Sequence, residues 1–473
     1  MVSKNKQLLS RYRNCDSASS RGGGIIPVVC DVIPIHNSAS ECSRIGFSKS
    51  LVESSNSASG ILLAASRIGP QVVVASVNFL AKADATTCAQ VISECVNKYA
   101  ISYKNIRGLV TDSACYMTKC VNSLQVLYGD HVLHIQCWAH KVALVGNVLS
   151  CELVEVNDVV VKVKSAFLNT RKRKHQYLQY LREETVKPDK LFPMPVNTRW
   201  NSWFRAVFYL AEYFLEIINF FRNSDFQETN NAGIKYLIML SDKEVSVILA
   251  QCIFVQQHAF EIMDLLTKLE GSKYPTSHTL YGDLENIQKG LDCAAKGIFS
   301  NTFENSSVLK NLNTTDIAHV KHNCQKATTL CMNKLQTLMN SDPCAHVYRS
   351  LNQLFNPKNI LLNKTENIVT QLKSIADLKM IDSVDLFKGY QSLKDAAESL
   401  CRAGEVVDVV KILTALTTDC QQFASAVLKS IWMPTNNVES ERLLSHYNIV
   451  VSDRRQNLKE ENIEVFTMLS FDD

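Results

Sequence analysis

From residue 60 the apolar positions follow two different periods, and the alternation between them lays out the chain. "GILLAASRI" (60–68) and "QVVVASVNFL" (71–80) are short apolar runs parted by Gly69-Pro70, a turn pair, and predict two consecutive strands. Next, Cys88, Val91, Ile92, Cys95 and Val96 recur at i, i+3, i+4, i+7. That spacing predicts a helix, with Asp84, Thr86 or Thr87 able to cap its start. "NIRGLVTD" predicts a short buried strand ending at Asp112, and "SACYMTKCVNSLQVLYG" a helix closed by Gly129. "HVLHIQC" predicts another strand, with His131 and His134 on one face, and "AHKVALVGNVLS" opens a further helix. The order β-β-α-β-α-β-α describes an α/β unit.

The pattern weakens on both sides. Residues 1–58 are expected to be poorly ordered, because "CDSASSRGGG" (15–24) and "HNSASECSRIGFSKSLVESSNSASG" (36–60) are rich in Ser and Gly. Between them, "IIPVVCDVIPI" (25–35) is strand-like but carries two prolines and Asp31, and it is too short to span a bilayer. From about 151 to 430 helical periodicity takes over and Pro and Gly become sparse. The tail from 431 predicts a loop, a helix from about Val438, a turn at Asp453–Gln456 and an amphipathic helix over about 459–470. The expected domains are therefore 1–58, an α/β core over 59–150, an all-helical block over 151–430, and a C-terminal segment over 431–473.

Composition changes this picture little. The chain has 473 residues, 46% of them hydrophobic, enough for a sizeable core. Its net charge of +4 suits a polyanionic partner without requiring one. Sixteen cysteines follow no repeating spacing, and no secretory signal is expected, so the thiols are read as reduced and the compartment as intracellular. No transmembrane helix is expected.

Several residues carry candidate chemistry. Asp112, at a strand end, is placed either to aim a carboxylate into a cleft or to cap the helix that follows. Cys137 and His140 in "HIQCWAH" have half the spacing of a zinc site, but no second pair accompanies them, so no zinc is expected. Nor does anything orient them as a nucleophile and base. Arg171, Lys172, Arg173 and Lys174 form a basic run suited to DNA phosphates, to a nuclear import signal or to a solvated helix start. Arg199 can contact phosphate and Trp200 can stack on a base, while Trp203 is expected to be structural.

Four blocks, in order, resemble the hAT superfamily of DNA transposases, in the branch that includes the BED-finger and CGG triplet repeat-binding proteins. They are "LVTDSACYM" (109–117), "HIQCWAH" (134–140), "MPVNTRWNSWFRAVFYL" (194–210) and "ESERLLSHYNIVVSDRRQNLKEENIE" (439–464). The resemblance implies an α/β ribonuclease-H-like core interrupted by a large all-α insertion, with a C-terminal helical dimerisation region. It implies three carboxylates holding two Mg²⁺ or Mn²⁺ ions for phosphodiester cleavage and strand transfer. Asp112 matches the second acid and Glu441 the third. Cys137 and His140 match a hallmark that borders the catalytic cleft.

The first acid departs from the family. Val52 and Asn56 stand where carboxylates belong, leaving Glu53 as a weak candidate, and Asp31 lies at a poorer distance. Nor is the family's N-terminal zinc finger expected within residues 1–58, since Cys15, Cys30, Cys42 and His36 lack finger spacing. The resemblance thus implies a nuclear, transposase-derived protein with a degenerate catalytic site, acting by DNA or protein association and as a homodimer. The alternatives are an active metal-dependent transposase and a protein-interaction module that binds no DNA.

Overall fold

In the computed structural model of the protein, the described residues are 26–34, 60–68, 71–80, 84–112, 114–196, 201–223, 230–271, 274–363, 366–440, 442, 462 and 466. The strands are β1 (Ile26–Pro34), β2 (Gly60–Ile68), β3 (Gln71–Leu80), β4 (Ile106–Thr111) and β5 (Leu133–Gln136). They form one sheet in the order β3-β2-β1-β4-β5. β2 runs antiparallel to β1 and β3, whereas β4 runs parallel to β1 and β5.

β2 and β3 occupy the two runs the apolar pattern marks out. β1 is the surprise. It lies in the middle of the sheet, upstream of the boundary expected at residue 59. Its prolines are accommodated locally. Pro34 pairs only at the last rung with Gly60, and the register against β4 shifts between Ile26 and Val28, at Pro27. A residue without an N–H fits a ladder at such an irregularity.

Parallel strands need crossovers, and helices supply them. Helix α1 (Ala85–Lys98) leads from β3 towards β4, and α2 (Cys115–Tyr128) joins β4 to β5. Asp84 caps α1, accepting the Thr87 N–H at 2.9 Å. Gly129 ends α2 with φ +105°, a conformation that side chains with a Cβ avoid. Cys88, Ile92, Cys95 and Val96 of α1 pack with Met117, Cys120, Val121 and Leu124 of α2 and with Ile106 and Leu109 of β4. Burial pushes the Cys88 thiol up to about 11, with the Asp84 and Asp112 carboxylates adding to it, and the Cys120 thiol up to about 12. Cys88 and Cys120 carry free thiols.

The remaining described structure is helical, from α3 (Trp138–Glu152), α4 (Val154–Phe167) and α5 (Arg171–Glu184) onward to a helix at Gln421–Ile431. The chain divides into two compact units, one of residues 1–139, 269–282 and 342–473, the other of 140–268 and 283–341. This division cuts across the expected block of 151–430, because 269–282 and the helices after 342 belong with the sheet. No single described helix is long and apolar enough to cross a membrane. The bent pair Asp242–His258 and Phe260–Glu270 has the length and composition only when joined. In Asp242–His258, Ile248, Phe254 and Val255 are buried.

Candidate functional site

Asp112 stands one residue past β4, half-buried. Its Oδ1 accepts the Ala114 N–H at 3.0 Å, so the carboxylate is fixed by the turn into α2. Ala114 is the cap residue of α2 and offers no side-chain bond. Asp112 therefore satisfies a backbone donor just ahead of the helix, close to the capping role weighed from sequence, and at the same time sits at the carboxyl end of the sheet.

β1 runs beside β4. Val28 pairs with Leu109 and Val29 with Val110. Asp31 and Asp112 each lie two residues beyond that last paired rung.

The C-terminal segment returns to the same end of the sheet. The Cys137 N–H donates to the Thr111 carbonyl at 2.9 Å, which carries the β4–β5 ladder one step further. The Trp138 N–H then donates to the Thr435 carbonyl at 2.8 Å, and the Asn437 N–H donates to Cys137 Sγ at 3.5 Å. Tyr348 donates its hydroxyl to the Pro434 carbonyl at 2.9 Å, and the Thr276 and Thr435 hydroxyls meet at 2.6 Å. Thr435, Asn437 and Ser440 are all buried. Glu441, the next residue, lies outside the described residues, as does Glu53. Glu439, the neighbouring acid, is buried and paired with Arg442 at 2.8 Å. Arg442 also donates to the Glu270 carbonyl.

Each side chain of "HIQCWAH" that has a described partner supports this corner. His134 is buried and its Nε2 meets the Thr111 hydroxyl at 3.0 Å. Cys137 is fully buried. Trp138 Nε1 donates to Asp342 Oδ2 at 3.1 Å, and Tyr281 donates its hydroxyl to the same oxygen at 3.2 Å. His140 lies half-buried in the first turn of α3. His131 does not share the face of His134: β5 begins only at Leu133, and His131 is exposed in the preceding turn. No group of three or more metal-capable side chains occurs among the described residues.

The basic run opens α5. Arg171 and Lys172 are exposed, and Lys174 is half-buried. Arg173 is also half-buried. It donates to the Ala166 carbonyl at the end of α4, and burial lowers its pKa. That makes Arg173 a packing residue at the α4–α5 corner. Arg199 and Trp200 lie outside the described residues. Trp203 is half-buried, edge-on to Phe204 with ring centres 5.3 Å apart. In the amphipathic helix expected over about 459–470, Phe466 is described and exposed.

The sequence reading does not mark Asp342, Thr435 or Asn437, which belong to no periodic pattern. No protein-family model matches the chain, and no curated protein matches it.

Proposed function

We propose that this protein is a hAT-type transposase homologue whose carboxylate centre joins Asp31, Asp112 and Glu441, and that it acts on DNA phosphodiesters in the nucleus. The observation that carries this reading is the β1–β4 register, with Val29 beside Val110, which would set Asp31 level with Asp112 if it continued two residues further. Adjacent strands lie about 4.8 Å apart. Carboxylates from neighbouring strands at one level suit a pair of ions about 3.5–4 Å apart. All three side chains offer oxygen, the donor that hard divalent cations take. Support also comes from the return of residues 434–440 beside β5, which brings the chain back to this end of the sheet immediately before Glu441.

Bound magnesium or manganese would supply the positive charge that activates water and stabilises the leaving oxygen. The chain's own contribution is positioning. The Ala114 N–H fixes one oxygen of Asp112. The Thr111–His134 hydrogen bond and the Cys137–Asn437 contact hold the two strand ends and the returning segment together. Arg171 and Lys172 are the exposed cations that would meet DNA phosphate. A homodimer through the C-terminal region belongs to this reading by resemblance.

A second reading keeps the fold and the association with DNA or protein but drops catalysis. It is favoured by Asp112 serving the turn into α2, as a purely structural aspartate would.

A Mn²⁺ titration of the unfolding midpoint separates the two, because an ion that binds only the folded state raises its stability. The catalytic reading expects a saturable rise in the wild type and in Glu53→Gln, lost in Asp31→Asn and in Asp112→Asn. A rise that survives both aspartate substitutions, or no rise in the wild type, leaves the second reading.

A further inference from the structure

The amino ends of β4 and β5 face away from Asp112, and a separate cleft of about 280 Å³ opens there. Its walls come from one compact unit. The sheet side contributes Lys104, Arg107 and His131, and the helix Ala345–Phe355 contributes His346 and Ser350 four residues apart, on one helical face. Ile106, Leu133 and Ile375 give an apolar floor.

The charges in this cleft do not cancel. Asp377 is the one acid of the lining, and it is already satisfied: Arg107 pairs with its Oδ2 and Ser430 donates to the same oxygen at 2.6 Å. Lys104 is exposed and has no ion-pair partner among the described residues. His346 likewise has no hydrogen-bond partner among them. Arg107 is largely buried, with 12% of its side chain exposed, yet a guanidinium carries five N–H donors and Asp377 is the acceptor it meets. His131 donates its Nε2 hydrogen to the Tyr103 carbonyl at 3.2 Å, which fixes the ring at the rim.

Cationic donors of this kind repel a metal ion, and they are more than an apolar ligand needs. They match a compact dianion with several acceptor oxygens. The volume lies at the small end of ligand pockets, and the apolar floor leaves room for an organic group beside the anion. We infer that this cleft binds a phosphate monoester, with Lys104, Arg107 and His346 around the phosphate and its organic body against Ile106, Leu133 and Ile375.

The source of the phosphate is either a free mononucleotide or the phosphorylated end of a DNA strand. The test uses the full chain without divalent metal. Inorganic phosphate, thymidine 5′-monophosphate, thymidine and a short single strand with or without a 5′-phosphate are titrated, following the unfolding midpoint and binding heat. Phosphate and the monophosphate should bind saturably, and thymidine should not. Lys104→Ala and His346→Ala both change exposed residues, so the fold should persist. Each should weaken binding by about tenfold, as expected for the loss of a charge-assisted hydrogen bond. Asp112→Asn should leave binding unchanged, which separates this site from the carboxylate centre. Preference for the 5′-phosphorylated strand over the free nucleotide would assign the strand end as ligand, and the reverse would assign the nucleotide. Equal binding of thymidine and its monophosphate, or affinities unchanged in both variants, would overturn the inference.

Discussion

Trp138 and Asp342 are joined by a hydrogen bond that spans 204 residues of sequence, indole Nε1 to carboxylate Oδ2 at 3.1 Å. The same oxygen accepts the Tyr281 hydroxyl at 3.2 Å, and the Trp138 and Tyr281 rings meet edge to face at 6.0 Å. Asp342 is buried. One carboxylate thus ties together three stretches of chain, just after β5, at 281 and at 342. Removing it strands two buried donors, each costing about 1–3 kcal/mol. Asp342→Ala should therefore lower stability by about 2–5 kcal/mol, seen as a lower urea midpoint with an unchanged slope. Trp138→Phe should cost less. An Asp342→Ala protein as stable as the wild type would mean that water replaces the carboxylate.

The basic run should divide in a DNA-binding assay. Arg171→Ala and Lys172→Ala remove exposed charges, so each should weaken binding and lower the salt slope by about one, with the unfolding midpoint unchanged. Arg173→Ala should instead destabilise the fold by about 1 kcal/mol, because the Ala166 carbonyl loses its donor. The contrast between the positions is the readout. Equal effects of all three on DNA binding would return Arg173 to the interface.

His278 should make stability fall in acid. It is buried, and its Nδ1 has no hydrogen-bond partner among the described residues. Burial lowers its pKa to about 4, with the Asp408 carboxylate pulling weakly the other way. An unfolded histidine titrates near about 6.5. Between those values the unfolded chain takes up a proton that the folded chain refuses, so this contribution is complete above about pH 6.5 and is lost as pH falls towards about 4. Its size is on the order of 3 kcal/mol. Carboxylates titrate in the same range, so the measurement is the difference between wild type and His278→Phe. That difference should shrink as pH drops across the window, and a constant difference would mean that His278 takes up its proton alike in the folded and unfolded states.

The sequence disclosed what local period controls. β2 and β3 follow their runs, and in α1 four of the five marked residues are buried, with Val91 partly so. Asp84 and Gly129 end their helices through interactions within a few residues. The place of β1 was hidden because it depends on pairing with β4, roughly eighty residues later, and its prolines and Ser/Gly-rich flanks have the signature of loop. The docking of 434–440 was hidden for a related reason. Its order comes from Trp138, Cys137, Tyr348 and Thr276, all remote in sequence.

The bond from the Asn437 N–H to Cys137 Sγ joins residues 300 apart, and this separation has a consequence in time. A ribosome adds about 5–20 residues per second. Roughly 15–60 s therefore pass between the synthesis of β5 and the arrival of the segment that covers its end. Throughout that interval the finished strands present an uncovered edge of Cys137 and Trp138. A message that ends early would make a chain fixed in this state, a substrate for chaperones and nothing more.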